Sequence, residues 1–164
     1  MPKTLIKNAR IVNESSIFES DILVEDQFIS KIASSILDDT AEVIDLQGQL
    51  LLPGCIDNQV HFREPGLTHK GTIATESRAA LAGGITTFME QPNTNPQTVT
   101  FEALEDKFDR AAKGSYVNYS FFFGGTNDNL ELIKRLDINA CAGIKLFLGS
   151  STGNMLVDRE ETIR

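Results

Sequence analysis

Three short stretches of this chain hold side chains that could do chemistry together. The first is Asp57-Asn58-Gln59-Val60-His61-Phe62-Arg63-Glu64-Pro65-Gly66. If this segment stays extended, residues 57, 59, 61 and 63 fall on one face, so an acid, an amide, an imidazole and a guanidinium point together. The second is Glu90-Gln91-Pro92-Asn93-Thr94-Asn95-Pro96, two asparagine steps bracketed by prolines, which makes a stiff polar loop. The third is Gly143-Ile144-Lys145-Leu146-Phe147-Leu148, where a lysine interrupts an apolar run. A lysine buried there needs a partner, and desolvation would favour its neutral, reactive amine. Each stretch also has a plain alternative: a strand running into a polar loop with His61 simply hydrogen-bonded, turn chemistry alone at 90–96, and an edge-strand lysine with its head in water.

Two other features are weaker. His69 reads as a loop or helix-entry residue. The run Gly149 to Asn154 could cradle an anion through backbone N–H groups but lacks the Lys-Ser/Thr ending of a phosphate loop.

The elements that must position these residues can be read from periodicity. Up to Pro53 the chain alternates in short runs: Leu5, Lys7, Ala9 and Ile11 against Ile6, Asn8 and Arg10, then Asp21–Val24 and Phe28–Ile32 around a polar turn, then Val43–Leu46 and Leu50–Leu52 around Gln47-Gly48. This is β-structure of hairpin type, and Pro53-Gly54 ends it. Beyond it, Cys55–Phe62, Ile85–Met89, Tyr116–Phe123 and Ile144–Leu148 read as strands. Thr72–Leu81, Thr98–Lys113 and Asn129–Leu136 read as helices between them. In the second helix Phe101, Leu104, Phe108 and Ala111 carry the apolar period. Strand–helix alternation at this spacing predicts βαβ units and a parallel sheet, and all three polar stretches fall at strand C-terminal ends. The expected division is 1–53 and 54–164.

Composition narrows the function classes. A net charge of −8 argues against nucleic acid or an anionic membrane as partner. The 41% hydrophobic and 23% charged residues are the mix of a soluble globular protein, without a run long enough to span a membrane. No signal-peptide pattern opens the chain, so a cytoplasmic location is expected. Cys55 and Cys141 lie far apart without CxxC spacing, which predicts neither a disulfide framework nor a zinc knuckle.

Leu52-Pro53-Gly54-Cys55-Ile56-Asp57, His61-Phe62-Arg63-Glu64-Pro65-Gly66, Ala82-Gly83-Gly84-Ile85-Thr86-Thr87 and Pro92-Asn93-Thr94-Asn95-Pro96 together resemble dihydroorotase of the amidohydrolase superfamily. The resemblance runs from the N-terminal β segment to the last residue. It implies a small β-sandwich segment followed by a (β/α)8 barrel of the TIM type, with about four of its eight strands in this chain. It implies one or two zinc ions or another divalent metal, a small-molecule substrate, and a homo-oligomer in the full-length form. His61 resembles the second histidine of a His-x-His metal motif. Lys145 stands where many members have a carboxylated, metal-bridging lysine. Arg63 and Asn93 resemble the pair that holds a substrate carboxylate. The implied reaction is reversible hydrolysis of dihydroorotate to N-carbamoyl-L-aspartate in pyrimidine biosynthesis, with an aspartate beyond residue 164 as general base.

Two departures from that pattern stand out. Gln59 occupies the place of the first histidine. Either Asp57 or Asn58 joins His61 at the metal, or this member binds metal poorly; amide oxygen is the weaker zinc donor. The later metal-binding histidines and the general base would also follow Arg164, so the expectation is an incomplete, inactive piece of a barrel with an uncovered parallel edge and apolar interior. A non-catalytic scaffold or subunit partner, and a hydantoinase- or dihydropyrimidinase-type cyclic amidase, remain the alternatives.

Overall fold

The computed structural model of the chain describes residues 2–163 except 138, 152 and 154. It divides into two units, Met1–Pro53 and Gly54–Arg164.

The first unit is built on β1 (Lys3–Asn13), which pairs antiparallel with β2 (Ser16–Glu25); β2 in turn pairs with β3 (Phe28–Ala33). The simple alternation expected along β1 is broken. Between Ile6 and Ala9 the register slips by one residue, with Asn8 in the left-handed region at φ 54°. A bulge of this kind exchanges the faces. Leu5 therefore packs with Leu23 and Ile36, whereas Ala9 and Ile11 pack with Ile22. Buried Asp21 bridges the bulge by accepting N–H bonds from Asn8 at 2.9 Å and Ile36 at 3.0 Å.

The Gln47-Gly48 turn does not make the expected hairpin. β4 (Glu42–Asp45) and β5 (Leu50–Leu51) both run parallel to β1, one after the other along its length. Gln47 and Gly48 instead follow the Asn8 bulge, with the Gly48 N–H donating to the Asn8 carbonyl at 2.8 Å. The described strands of this unit form one five-stranded sheet.

The second unit alternates β6 (Cys55–Val60), α1 (Ile73–Ala82), β7 (Ile85–Glu90), α2 (Phe101–Gly114), β8 (Asn118–Gly124), α3 (Leu130–Arg135) and β9 (Gly143–Lys145), with a last turn α4 (Glu160–Ile163). The four strands are parallel in the order β6-β7-β8-β9. An order that follows the chain without reversal is that of a closing βα barrel; a doubly wound sheet would reverse. Thr72 and Thr100 cap α1 and α2 by accepting the N–H groups of Thr75 and Ala103. α1 packs on β7 and α2 on β8, and the two helices touch. Between sheet and helices lies an aromatic core of Phe62, Phe88, Phe121 and Phe123, with Phe62 and Phe88 rings 4.5 Å apart.

Among the described residues no helix is long and apolar enough to cross a membrane. Both cysteines are free.

Candidate active site

The Asp57–Gly66 stretch does not stay extended, so residues 57, 59, 61 and 63 do not simply share a face. β6 ends at Val60, and Asp57 to Val60 spans three steps against the two from Phe88 to Glu90 on β7. The Asp57 carboxylate turns back to accept the Gln59 N–H at 3.0 Å. This extra residue re-aims the chain, as bulges beside functional sites do. Phe62 enters the aromatic core, and His61 is left accessible at the strand end.

His61 and Asn93 meet across the ends of β6 and β7, with Nδ1 and Oδ1 2.8 Å apart. An amide oxygen only accepts, so Nδ1 carries the hydrogen and Nε2 keeps its lone pair. Burial of the ring lowers the His61 pKa below its ordinary value. The Asn93 bond opposes this, while the charges of Arg63, Lys145 and Lys107 reinforce it. The ring is therefore neutral near pH 7, the state a metal needs.

The two motif loops are locked to each other residue by residue. The Arg63 N–H donates to Glu90 Oε1 at 3.0 Å, and Arg63 itself sits at φ 74°. Glu64 Oε2 accepts the Ile73 N–H at 2.8 Å, tying the loop to the first turn of α1, and Oε1 faces Arg110 at 3.6 Å. The Asn95 N–H donates to the Pro65 carbonyl at 3.1 Å. Gly66, at φ 80°, lies so close to Asn95 that a Cβ would overlap its carbonyl oxygen. The second loop is braced internally, since the N–H groups of Thr94 and Thr98 both donate to the Pro92 carbonyl.

Lys145 ends β9, the far edge of the described sheet. It is half-buried, with Nζ 5.1 Å from the centre of the Phe147 ring, and its charge is felt at His61. Beneath the loops is a lysine of α2 that lies outside the apolar set Phe101, Leu104, Phe108 and Ala111. Lys107 and Glu90 are both 0% exposed, with Nζ and Oε2 3.1 Å apart in an ion pair without hydrogen-bond alignment. Burial raises the Glu90 pKa and lowers that of Lys107, and each charge opposes the shift of the other. The spacing Leu104, Lys107, Ala111 was the available signal, since all three are buried on one side of α2.

Gln59 and Asn58 are exposed, and His69 is an exposed loop residue. Thr152 and Asn154 of the Gly149–Asn154 run lie outside the described residues. Among the described residues no three His, Cys, Asp or Glu side chains gather into a metal cluster. A hollow of about 540 Å³ between α1 and α2 is lined by Glu64, Asp106 and Arg110 but by none of His61, Arg63, Asn93 or Lys145, so it is not where this chemistry converges.

A sequential βα sheet with an imidazole, a guanidinium, an amide and a lysine at its strand C-terminal ends defines a class, the βα-barrel proteins whose chemistry sits on that face. Comparison with known proteins agrees. The L-hydantoinase (dihydropyrimidinase) of Arthrobacter aurescens superposes with a TM-score of 0.88 at 31% identity, covering 96% of this chain and 35% of that one. A dihydroorotase of Methanosarcina mazei is 39% identical over 163 residues, 98% of this chain and 36% of the relative. Another, of Bacillus thuringiensis, is 46% identical over 115 residues, 70% of this chain and 27% of the relative. Residues 48–132 match the family model described as dihydro-orotase-like. The chain belongs to the dihydroorotase-like family. It spans about a third of the length of the curated relatives it matches.

Proposed function

We propose that these residues form the first half of the catalytic barrel of a dihydroorotase, which interconverts dihydroorotate and N-carbamoyl-L-aspartate, with the N-terminal sheet as one layer of a β-sandwich. The observation that carries this reading is the His61–Asn93 contact beside Arg63 on two interlocked loops. Asn93 spends its oxygen on the imidazole, so its amide N–H groups are left to meet an anion together with the Arg63 guanidinium. A planar fork plus an amide donor suits a carboxylate, and dihydroorotate carries one on the ring carbon next to its ring nitrogen.

His61 fits a metal ligand in tautomer and charge: Nδ1 is held by Asn93, and Nε2 is free to coordinate. Zinc, as one ion or two, or another divalent metal, would be held by His61 and by Lys145 once its amine is carboxylated, since a carbamate offers two anionic oxygens where an ammonium offers none. Asp57 and Gln59 are the weaker candidates, because the Asp57 oxygen already serves the Gln59 N–H. When bound, such an ion polarises the amide carbonyl and lowers the pKa of water. The general base belongs to an aspartate outside the 164 residues, which alone are expected to give no turnover.

The test is turnover of both dihydroorotate and N-carbamoyl-L-aspartate by the complete polypeptide carrying this sequence, with and without a chelator. Activity lost to chelation and restored by zinc is the expected result. Neither bound metal nor turnover would sink the enzyme and leave the scaffold reading. A second reading is a hydantoin-type cyclic amidase, favoured by the likeness to the Arthrobacter hydantoinase. It predicts similar rates on hydantoins and dihydroorotate and no effect of Arg63→Ala on substrate affinity.

A further inference from the structure

We infer that the buried Glu90–Lys107 pair is a positioning device that sets the separation and aim of Arg63 and Asn93, and with them the preference for a substrate bearing a carboxylate. This rests on the proposed clamp role of those two residues. The pair has no exposed surface, yet its outward bonds end on both motif loops. Glu90 Oε1 takes the backbone N–H of Arg63 at 3.0 Å. Lys107 Nζ donates to the Gln91 carbonyl at 3.0 Å, the peptide that begins the 91–96 loop. Arg63 is held at φ 74°, a conformation that a side-chain-bearing residue keeps only where its surroundings impose it. The Glu90 carboxylate is the group that meets its N–H there. The ion pair thus joins α2 to the ends of both β6 and β7.

A buried ion pair is a poor device for stability alone. Apolar residues of similar volume commonly serve as well or better. That separates the two roles experimentally. In the complete polypeptide, Glu90→Leu with Lys107→Met removes the charges and the acceptor. Glu90→Gln with Lys107→Met removes the charges but keeps an oxygen for the Arg63 N–H. Two readouts are used. One is the ratio of kcat/KM for dihydroorotate to that for dihydrouracil, the same ring without the carboxylate. The other is amide hydrogen exchange at Arg63, which needs no turnover.

The apolar pair is expected to keep its Tm but to lower the ratio by about tenfold to a hundredfold, through KM rather than kcat, and to expose the Arg63 amide to fast exchange. The Gln/Met pair keeps the anchor at the Arg63 N–H but loses the Lys107 bond to the Gln91 carbonyl, so it is expected to keep slow exchange at Arg63 and to lower the ratio less than the apolar pair does. An unchanged ratio in the apolar pair, where Arg63→Ala abolishes the preference, overturns the positioning role and leaves the proposed function standing. An Arg63→Ala variant with intact preference removes the clamp and this inference with it. Should the apolar pair not fold, the parent decides: an Arg63 amide that exchanges as fast as an exposed loop amide overturns the inference.

Discussion

Gly66 offers a sharp test of how the two motif loops depend on each other, because the same unit contains its control. Gly66 and Gly84 have nearly the same backbone, φ 80° and φ 86°. A Cβ added at Gly84 would find nothing within 4 Å, whereas one added at Gly66 would overlap the carbonyl oxygen of Asn95. In Gly84→Ala the left-handed conformation costs about 1–2 kcal/mol. The stiffer unfolded chain returns about 0.4–1 kcal/mol of that, so a net loss of about 1 kcal/mol is expected. Gly66→Ala carries the same conformational cost. It must also push the loops apart, an overpacking cost of about 1–3 kcal/mol. With that goes the Asn95 N–H bond to the Pro65 carbonyl, worth about 1 kcal/mol. Gly66→Ala should therefore exceed Gly84→Ala by about 2–4 kcal/mol. Urea denaturation of both variants measures this as a shift in midpoint at constant m. Equal midpoints would mean that the loops are not locked through Gly66, and the account of the site as two coupled loops would fall.

Lys107→Met alone leaves Glu90 buried without its counter-charge and should cost about 3–5 kcal/mol near neutral pH. Because burial already raises the Glu90 pKa, that variant should regain stability as the pH falls and Glu90 takes a proton, which denaturation followed from neutral pH downward can measure. Asp38 is held down at about 2 by bonds from Thr40 and Lys3. The stability this gives is present above the ordinary carboxylate value and is lost as pH falls toward the folded value, so NMR titration of the Asp38 carboxyl should show its midpoint near pH 2, and Asp38→Asn should remove that part of the acid sensitivity. Thr100→Ala should destabilise α2 by about 1 kcal/mol through loss of the bond to the Ala103 N–H, read from thermal unfolding.

The helices and strands of the second unit were legible because their ends are chemically marked: Thr72 and Thr100 supply N-cap oxygens, and Gly83-Gly84 stops α1 before the β-branched run of β7. The strand-end location of His61, Asn93 and Lys145 followed from that alternation. Register was not legible. Gln47-Gly48 has the same turn chemistry in a hairpin as in a kink that follows a neighbouring bulge, and only the pairing with Asn8 distinguishes them. The Lys107 side chain was hidden for a different reason. In a periodicity count a lysine marks the solvent side, and only the carboxylate of Glu90, a strand away, lets it occupy a core position. A buried lysine does need a partner, and the lysine that has one is Lys107, not Lys145. The latter is half-buried over an aromatic ring.

The extra residue between Asp57 and Val60 makes the distance from Gly54 to His61 a matter of counting. Opposite it, β7 carries a compensating extra residue between Ile85 and Thr87, so Cys55–Val60 and Ile85–Glu90 match five steps to five. Deleting one residue between Asp57 and Val60 would leave the β7 residue uncompensated, shift the register by one and turn the strand end inside out. Phe62 would be presented to solvent and His61 driven toward the helices. This segment should therefore tolerate many changes of residue identity at exposed Asn58 or Gln59 but no change of length.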